Sequence, residues 1–317
     1  MTPLRCAFAR VLFAACTAAA LAACHRQPEE KPKTMDAAAI AFQHEEDAWR
    51  AQRRDTLLKP DGWTSLVGLH WIEPGAHYVG SAPGNGMQLS MGPAQLGMIE
   101  LRNGAVHFVP DKSAALTLDG QPFTGGTVLR TDADKAGASV IGFDDGRGSA
   151  TVIERSGRYA LRVRHADAPS RLHFAGIDYW PAERGWKIEG RFLPHPPGRT
   201  MEIANIIGST DAMANPGVVE FQRDGKTWRI EALDEGEGVL FLVFADRTNG
   251  HGSYGAGRFL DAPMPDAQGR VMLDFNQARN PPCAFTAFAT CPLPPPENRL
   301  DVAITAGEKA YHKPANG

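Results

Sequence analysis

Residues 150–164 read ATVIERSGRYALRVR, Ala150 to Arg164. Two short apolar runs that alternate with polar residues flank Ser156-Gly157, a turn pair suited to reversing a chain, so the stretch reads as a β-hairpin. A period of two puts Arg162 and Arg164 on one face of the second strand and Leu161 and Val163 on the other. Two guanidiniums on one face either grip an anionic group or pair with surface acids. Were Arg162 turned into the interior, it would need a buried partner, and Asp274 or Glu308 could serve.

The same period continues on both sides. Leu172 to Phe174, Trp186 to Phe192, Met201 to Ile207, Gly217 to Phe221, Trp228 to Ala232, Val239 to Phe244, Arg258 to Leu260 and Val271 to Phe275 are of strand length, with Asp224-Gly225 as a further hairpin turn. Together with the hairpin they predict a large antiparallel barrel or sandwich over residues 139–317, able to enclose a ligand. Upstream, residues 59–133 carry still shorter runs between Asn103-Gly104 and Asp119-Gly120, which predict a small β-sandwich-like domain. Asp132 to Ala138 reads as the linker between the two. Only residues 35–58 have a helical character, with Asp36 or Thr34 as N-cap, a Glu46–Arg50 pair at four-residue spacing, and docking through Trp49 and the last turn. The chain is therefore expected to be mainly β, with one N-terminal helix.

Its last third ends in an unusual stretch, Leu273 to Lys309, which sets Asp274, Asn276, Asn280, Asn298 and Glu308 among paired and clustered prolines. Prolines hold intervening polar groups in a set geometry at reduced ordering cost, so this stretch predicts a rigid clasp or a site. At the other end, Arg5 and Arg10 precede an apolar run that closes on Leu21-Ala22-Ala23-Cys24. That is the order of a secretory signal peptide over residues 1–23, too short to span a bilayer. Cys24 is expected to carry lipid, and residues 24–34 to form a charged tether. With Cys6 and Cys16 in the leader, Cys283 and Cys291 remain of the five cysteines, and a disulfide between them is expected. Buried free thiols and a metal pair are the alternatives.

The runs NPPCAF (Asn280 to Phe285), TCPLPPPENRL (Thr290 to Leu300) and AGEK (Ala306 to Lys309), with YGAGRFL, LDFN and PDGWTSLVGLHWIEPG before them, resemble domain-of-unknown-function family 1684. The resemblance implies an uncharacterised bacterial lipoprotein and no activity. One departure is Arg279, where the family pattern Asn-x-Ala-Tyr-Asn-Pro-Pro-Cys has an aromatic ring. By resemblance to lipoprotein sorting, Arg26 after His25 implies the outer membrane, facing the periplasm. The small β domain is also similar to a forkhead-associated domain, but that domain's phosphate-gripping arginine falls at Ser81 and its Ser-Arg-x-x-His is absent.

Other classes lack their residues. With 33 basic and 36 acidic residues and no basic cluster, a nucleic-acid partner is not expected. No metal and no cofactor is expected. Gly250 to Gly255 matches G-x-G-x-x-G, yet no helix follows it, and His251 stands where a serine elbow needs glycine. Three functions remain. The first is a binding module for a small or extended envelope ligand contacted by Arg162, Arg164, Tyr254, Arg258, Asp274, Asn276, Asn280, Asn298 and Glu308. The second is a hydrolase using Asp274, Glu308 or His251. The third is an assembly protein in which these side chains only satisfy backbone.

Overall fold

The computed structural model describes residues 36–313. Cys24, the leader and the tether lie outside these residues. The fold is mainly β, and its strands pair antiparallel apart from one short parallel pair and a few isolated parallel bridges.

Asp36 caps the first helix, α1 (Ala37–Leu57), its carboxylate accepting from the Ala39 N–H at 2.6 Å. Trp49 meets Tyr179 edge to face at 6.3 Å, and Leu57 in the last turn is fully buried. The expected Glu46–Arg50 pair does not form. Docking pulls the two apart, because Glu46 is buried against the end of the last strand while Arg50 lies over the Tyr179 ring at 4.4 Å and donates to the Trp180 carbonyl.

After the helix come eleven strands: β1 (Leu66–Trp71), β2 (Gly75–Gly80), β3 (Met87–Gln88), β4 (Gly97–Arg102), β5 (Ala105–Pro110), β6 (Leu116–Leu118), β7 (Gln121–Phe123), β8 (Thr127–Leu129), β9 (Val140–Phe143), β10 (Gly148–Arg155) and β11 (Arg158–His165). They form a six-stranded sheet in the order β1-β11-β10-β9-β6-β7 and a five-stranded sheet in the order β3-β2-β4-β5-β8. One apolar core, including Val79, Ile99, Phe108, Ile141, Val152 and Leu161, lies between them. The hairpin at 150–164 thus belongs to this sandwich. The sequence reading places it in the second block, beyond a linker at 132–138, but β11 pairs with β1 and β9 with β6, so the sandwich runs to His165. Local turn chemistry marks a loop at 132–138 without revealing that the chain returns to the sheet it left.

The remaining strands are β12 (Lys187–Pro194), β13 (Thr200–Ala204), β14 (Thr210–Arg223), β15 (Lys226–Asp234), β16 (Val239–Phe244), β17 (Arg258–Pro263) and β18 (Arg270–Asp274). They pair in the order β17-β16-β15-β14-β12-β18, with β13 on β14, and the end strands β17 and β18 approach each other, so the sheet curls towards a barrel. Its interior is filled by inward side chains such as Phe221, Ile230, Leu242, Phe244, Leu260 and Leu273. A ligand inside the barrel has no room. β16 reads VLFLVF, apolar without alternation, because both its faces are covered. Leu242 and Phe244 face the barrel core, while Phe241 and Val243 pack outward with Phe259 against Ala289 and Cys291 of the proline-rich clasp.

Candidate functional site

Most of the clasp's polar residues tie backbone together. Asn298 is fully buried, accepts from the Glu231 N–H (2.7 Å) and donates to the Glu231 and Val243 carbonyls (both 2.9 Å), stapling β15 to β16. Asn276 exchanges two hydrogen bonds of 3.0 Å with the backbone of Glu183 and donates to Asp274. Asn280 donates its amide to the Lys309 carbonyl and its N–H to Glu308 Oε2, whose other oxygen accepts from Arg53 Nε at 2.7 Å. Gly307, at φ +78°, lets this tail pass so close to Ala278 that a side chain there would collide with the Ala278 carbonyl. Arg258 is fully buried, paired with Asp246 at 2.7 Å and donating to the carbonyls of Ile304 and Ala306.

These side chains do not converge on one site. Five of the ligand contacts expected from the sequence, Arg258, Asp274, Asn276, Asn298 and Glu308, are consumed by internal partners, since a buried polar group needs a partner wherever it lies. Tyr254 and Arg258 both reach the clasp, the Tyr254 hydroxyl donating to the Cys283 carbonyl (3.3 Å) and the Arg258 guanidinium to the Ile304 and Ala306 carbonyls. His251 is exposed, and its ring contacts only the Asn249 carbonyl. Arg162 takes neither Asp274 nor Glu308 as partner, those acids being held by Lys187 and Arg53.

Cys283 and Cys291 are free thiols, so the expected disulfide is not formed in this structure. The 3-10 turn at Pro282–Ala284 aims the Cys283 N–H at Cys291 Sγ (3.1 Å), closing the clasp with a hydrogen bond. The Cys291 thiol interacts with the Cys283 sulfur, which draws Cys283 below the ordinary thiol value and pushes Cys291 above it. Among the described residues no group of three or more His, Cys, Asp or Glu side chains could hold a metal ion.

What the fold builds lies outside the barrel. A cleft of about 550 Å³ opens between the sandwich, the outer face of the barrel sheet and the clasp. Ile203, Met213, Phe241 and Phe259 give it an apolar floor, with Trp63 beside them, while Arg155, Thr290, Cys291, Asn280, Arg53 and Arg279 bring polar groups to its walls. Of the residues singled out in the sequence, Asn280 and Cys291 line it, while the buried Arg162 reaches it only through its neighbours Thr290 and Trp63, which do. Arg279, the departure from the family pattern, is on the wall, paired with Asp261 at 2.9 Å and lying over the Phe259 ring at 5.8 Å. On the far rim, burial and then the charges of Glu237 and Asp261 raise the Glu235 carboxyl above its ordinary value. Arg53, Arg155 and Thr290 went unnoticed in the sequence because they sit on three separate elements. Only the sandwich's return at β9–β11 brings them to one opening.

The sandwich contributes the outer face of its six-stranded sheet. Cross-strand register sets Thr151 opposite Arg162 and Ile153 opposite Ala160, so Thr151, Ile153, Arg155, Arg162 and Arg164 share that face while Leu161 and Val163 enter the core. The hairpin's alternation, read from the sequence, holds here.

A family model described as "Protein of unknown function (DUF1684)" matches residues 172–309, which carry the barrel sheet and the clasp but leave out the sandwich. Among solved structures, the chain is similar to the solution NMR structure of an uncharacterized protein of Haloarcula marismortui, at 30% identity over 44% of this chain and 78% of that one, with a TM-score of 0.37. No curated protein matches.

Proposed function

This chain belongs to that family of unknown function, a membership that supplies no activity, and we propose from the geometry that it is a binding module whose cleft takes a small ligand with an apolar body. The observation that carries this reading is the cleft itself, about 550 Å³ with Ile203, Met213, Phe241 and Phe259 as floor and hydrogen-bonding groups at its walls. Its volume falls within the range of small-molecule sites, roughly 300–1,000 Å³. The hydrolase reading has less support, because Asp274 and Glu308 are engaged within the fold and His251 lies outside the cleft. The order of basic, apolar and small residues before Cys24 supports a protein anchored by lipid to the outer membrane and facing the periplasm. No helix among the described residues is long and apolar enough to cross a membrane. In such an oxidising compartment the adjacent thiols of Cys283 and Cys291 would pass two electrons to a disulfide-exchange donor, lose two protons and close the clasp covalently.

Native mass spectrometry of the protein purified from its own cell envelope tests the binding reading. We expect an adduct of small-molecule mass that organic extraction removes, and a protein mass lower by two hydrogens than that of the reduced chain. A bare protein mass from gentle extraction would remove the binding reading, and an unchanged mass on reduction would remove the disulfide. Cys24→Ser is expected to release the protein from membranes, and its undiminished recovery with membranes would overturn the lipid anchor.

A further inference from the structure

The face of β10–β11 beside the cleft carries three guanidiniums, Arg155, Arg162 and Arg164, of which only Arg155 forms an ion pair among the described residues, while Glu154, Asp211, Glu235 and Glu237 bring carboxylates to the rest of the cleft. Arg155 is paired with Asp132 at 2.8 Å and donates through Nε to Thr290 Oγ1 at 3.2 Å. Arg162 is only 6% exposed, yet its closest polar contact is a long 3.5 Å approach of Nη2 to that same Thr290 hydroxyl, and its Nε has no hydrogen-bond partner. Arg164, next on the same face, also has an unpartnered buried Nε. Neither Arg162 nor Arg164 forms an ion pair with an acid among the described residues. The Trp63 ring, which lines the cleft, has the Arg162 guanidinium 5.5 Å from its centre.

Burying a cation without a counter-charge costs several kcal/mol, so such groups are almost always paired. Elsewhere this chain follows that rule, as Arg258 with Asp246 and Arg53 with Glu308 show. At Arg162 it does not. Burial, followed by repulsion from Arg155 and Arg164 and offset only in part by the charge of Asp132, lowers the Arg162 guanidinium to about 10, which still leaves it charged at neutral pH. An excess of planar, forked donors beside a hydroxyl and an aromatic ring suits a carboxylate or a phosphate, each able to accept two parallel N–H bonds.

We propose that Arg155, Arg162 and Thr290 form the subsite for the anionic head of the ligand, a carboxylate or phosphate, whose apolar body lies on the floor of Phe241, Phe259, Ile203 and Met213. This rests on the reading of the cleft as a binding site and names the ligand's class, an amphiphilic anion. Cys291 follows Thr290 directly, so the clasp that closes over the barrel face also presents the hydroxyl that the two arginines share.

The test is thermal unfolding of the full-length protein with millimolar hexanoate, hexyl phosphate or hexanamide, the last matching the chain without the charge. A ligand that binds only the folded state raises the midpoint by mass action. We expect one or both anions to raise it and hexanamide to leave it unchanged, with the stronger of the two anions identifying the head group. Arg162→Leu is expected to remove the response while leaving the unliganded midpoint equal or higher, because it deletes an uncompensated buried charge. Thr290→Val, a smaller change, is expected to weaken binding at least tenfold.

Equal stabilisation by hexanamide would overturn the anionic subsite and leave the cleft reading standing. No response to any of the three would overturn both. A steep fall of the unliganded midpoint in Arg162→Leu, with the response to anion intact in Thr290→Val, would make Arg162 a structural residue and also overturn the subsite.

Discussion

Replacing Asp246 by Ala is expected to cost on the order of 3–5 kcal/mol of folding stability, the range for breaking a buried ion pair by removing one partner. Asp246 and Arg258 are both fully buried at their side chains and 2.7 Å apart. The aspartate is also a hub. Its Oδ1 accepts from the Thr248 N–H (2.8 Å), the Thr248 hydroxyl (2.6 Å) and the Ile304 N–H (3.2 Å), so the substitution strands a guanidinium and several donors together. Arg258 meanwhile donates to the carbonyls at 304 and 306, which fastens the C-terminal segment to the end of β16 and the start of β17. Urea unfolding measures the loss, and a change under about 1 kcal/mol would show that the pair contributes little. Replacing both partners with apolar residues, as in Asp246→Leu with Arg258→Met, should recover part of the stability, because no charge is then left alone.

The second large effect concerns pH. Glu46 on α1 is fully buried, and both its carboxylate oxygens lack a hydrogen bond to protein. Burial first, and the negative charge of Asp274 second, raise its pKa from the ordinary 4.5 to about 7, while the Gln277 amide and then the Arg50 charge pull the other way and Glu45 adds to the rise. Asp274 faces it with an Oδ2 that has no hydrogen bond, and Lys187 lies 3.6 Å from that oxygen and 2.7 Å from Glu45. The folded state therefore holds the Glu46 proton more tightly than the unfolded chain does. Stability from this group is fully present below about 4.5, falls as pH rises towards about 7, and is level above that. A raised pKa of this size corresponds to about 3 kcal/mol across the window.

Glu46→Gln keeps the shape, carries no charge, and can donate to the unpaired Asp274 oxygen. The variant is expected to match the parent near pH 4.5 and to exceed it in midpoint temperature above pH 7. Parallel pH profiles for the two proteins would refute this, since surface acids common to both cancel in the difference. The site of the effect is the seat of α1, so the stability lost between about pH 4.5 and 7 should first loosen the helix, which hydrogen exchange over residues 37–57 reads directly.

Several features could be read along the chain because they depend on neighbours in sequence. The hairpin at 150–164 shows its period of two and its turn, and its strands form where the alternation puts them, with Leu161 and Val163 inward and Arg162 outward. Asp36 marks the helix start because an N-cap needs only the amide three residues on. The proline-rich segment reads as a clasp because fixed φ angles are a local property, and it does pack over the barrel face. The mainly β class follows from the same short-range signals.

Partnership did not follow. A polar side chain in a proline-rich segment looks the same whether it meets a ligand or a carbonyl 67 residues away, as Asn298 does with Glu231. Arg258 and Arg162 each stand in a strand with alternating pattern, yet one has an aspartate waiting twelve residues upstream and the other forms no ion pair among the described residues. The cleft is assembled from α1, β10, β13, β14, β16, β17 and the clasp, elements spread over more than 200 residues. Sequence by itself determined the strand alternation, the turns, the helix cap and the composition of the clasp, since these are set by steric and hydrogen-bond preferences within a few residues. Only the tertiary structure decided that β9–β11 return to the first sheet, that the barrel is filled, and that Arg155 and Arg162 both approach the Thr290 hydroxyl. Those outcomes depend on which surfaces are buried against which, a sum over distant contacts that no local pattern encodes.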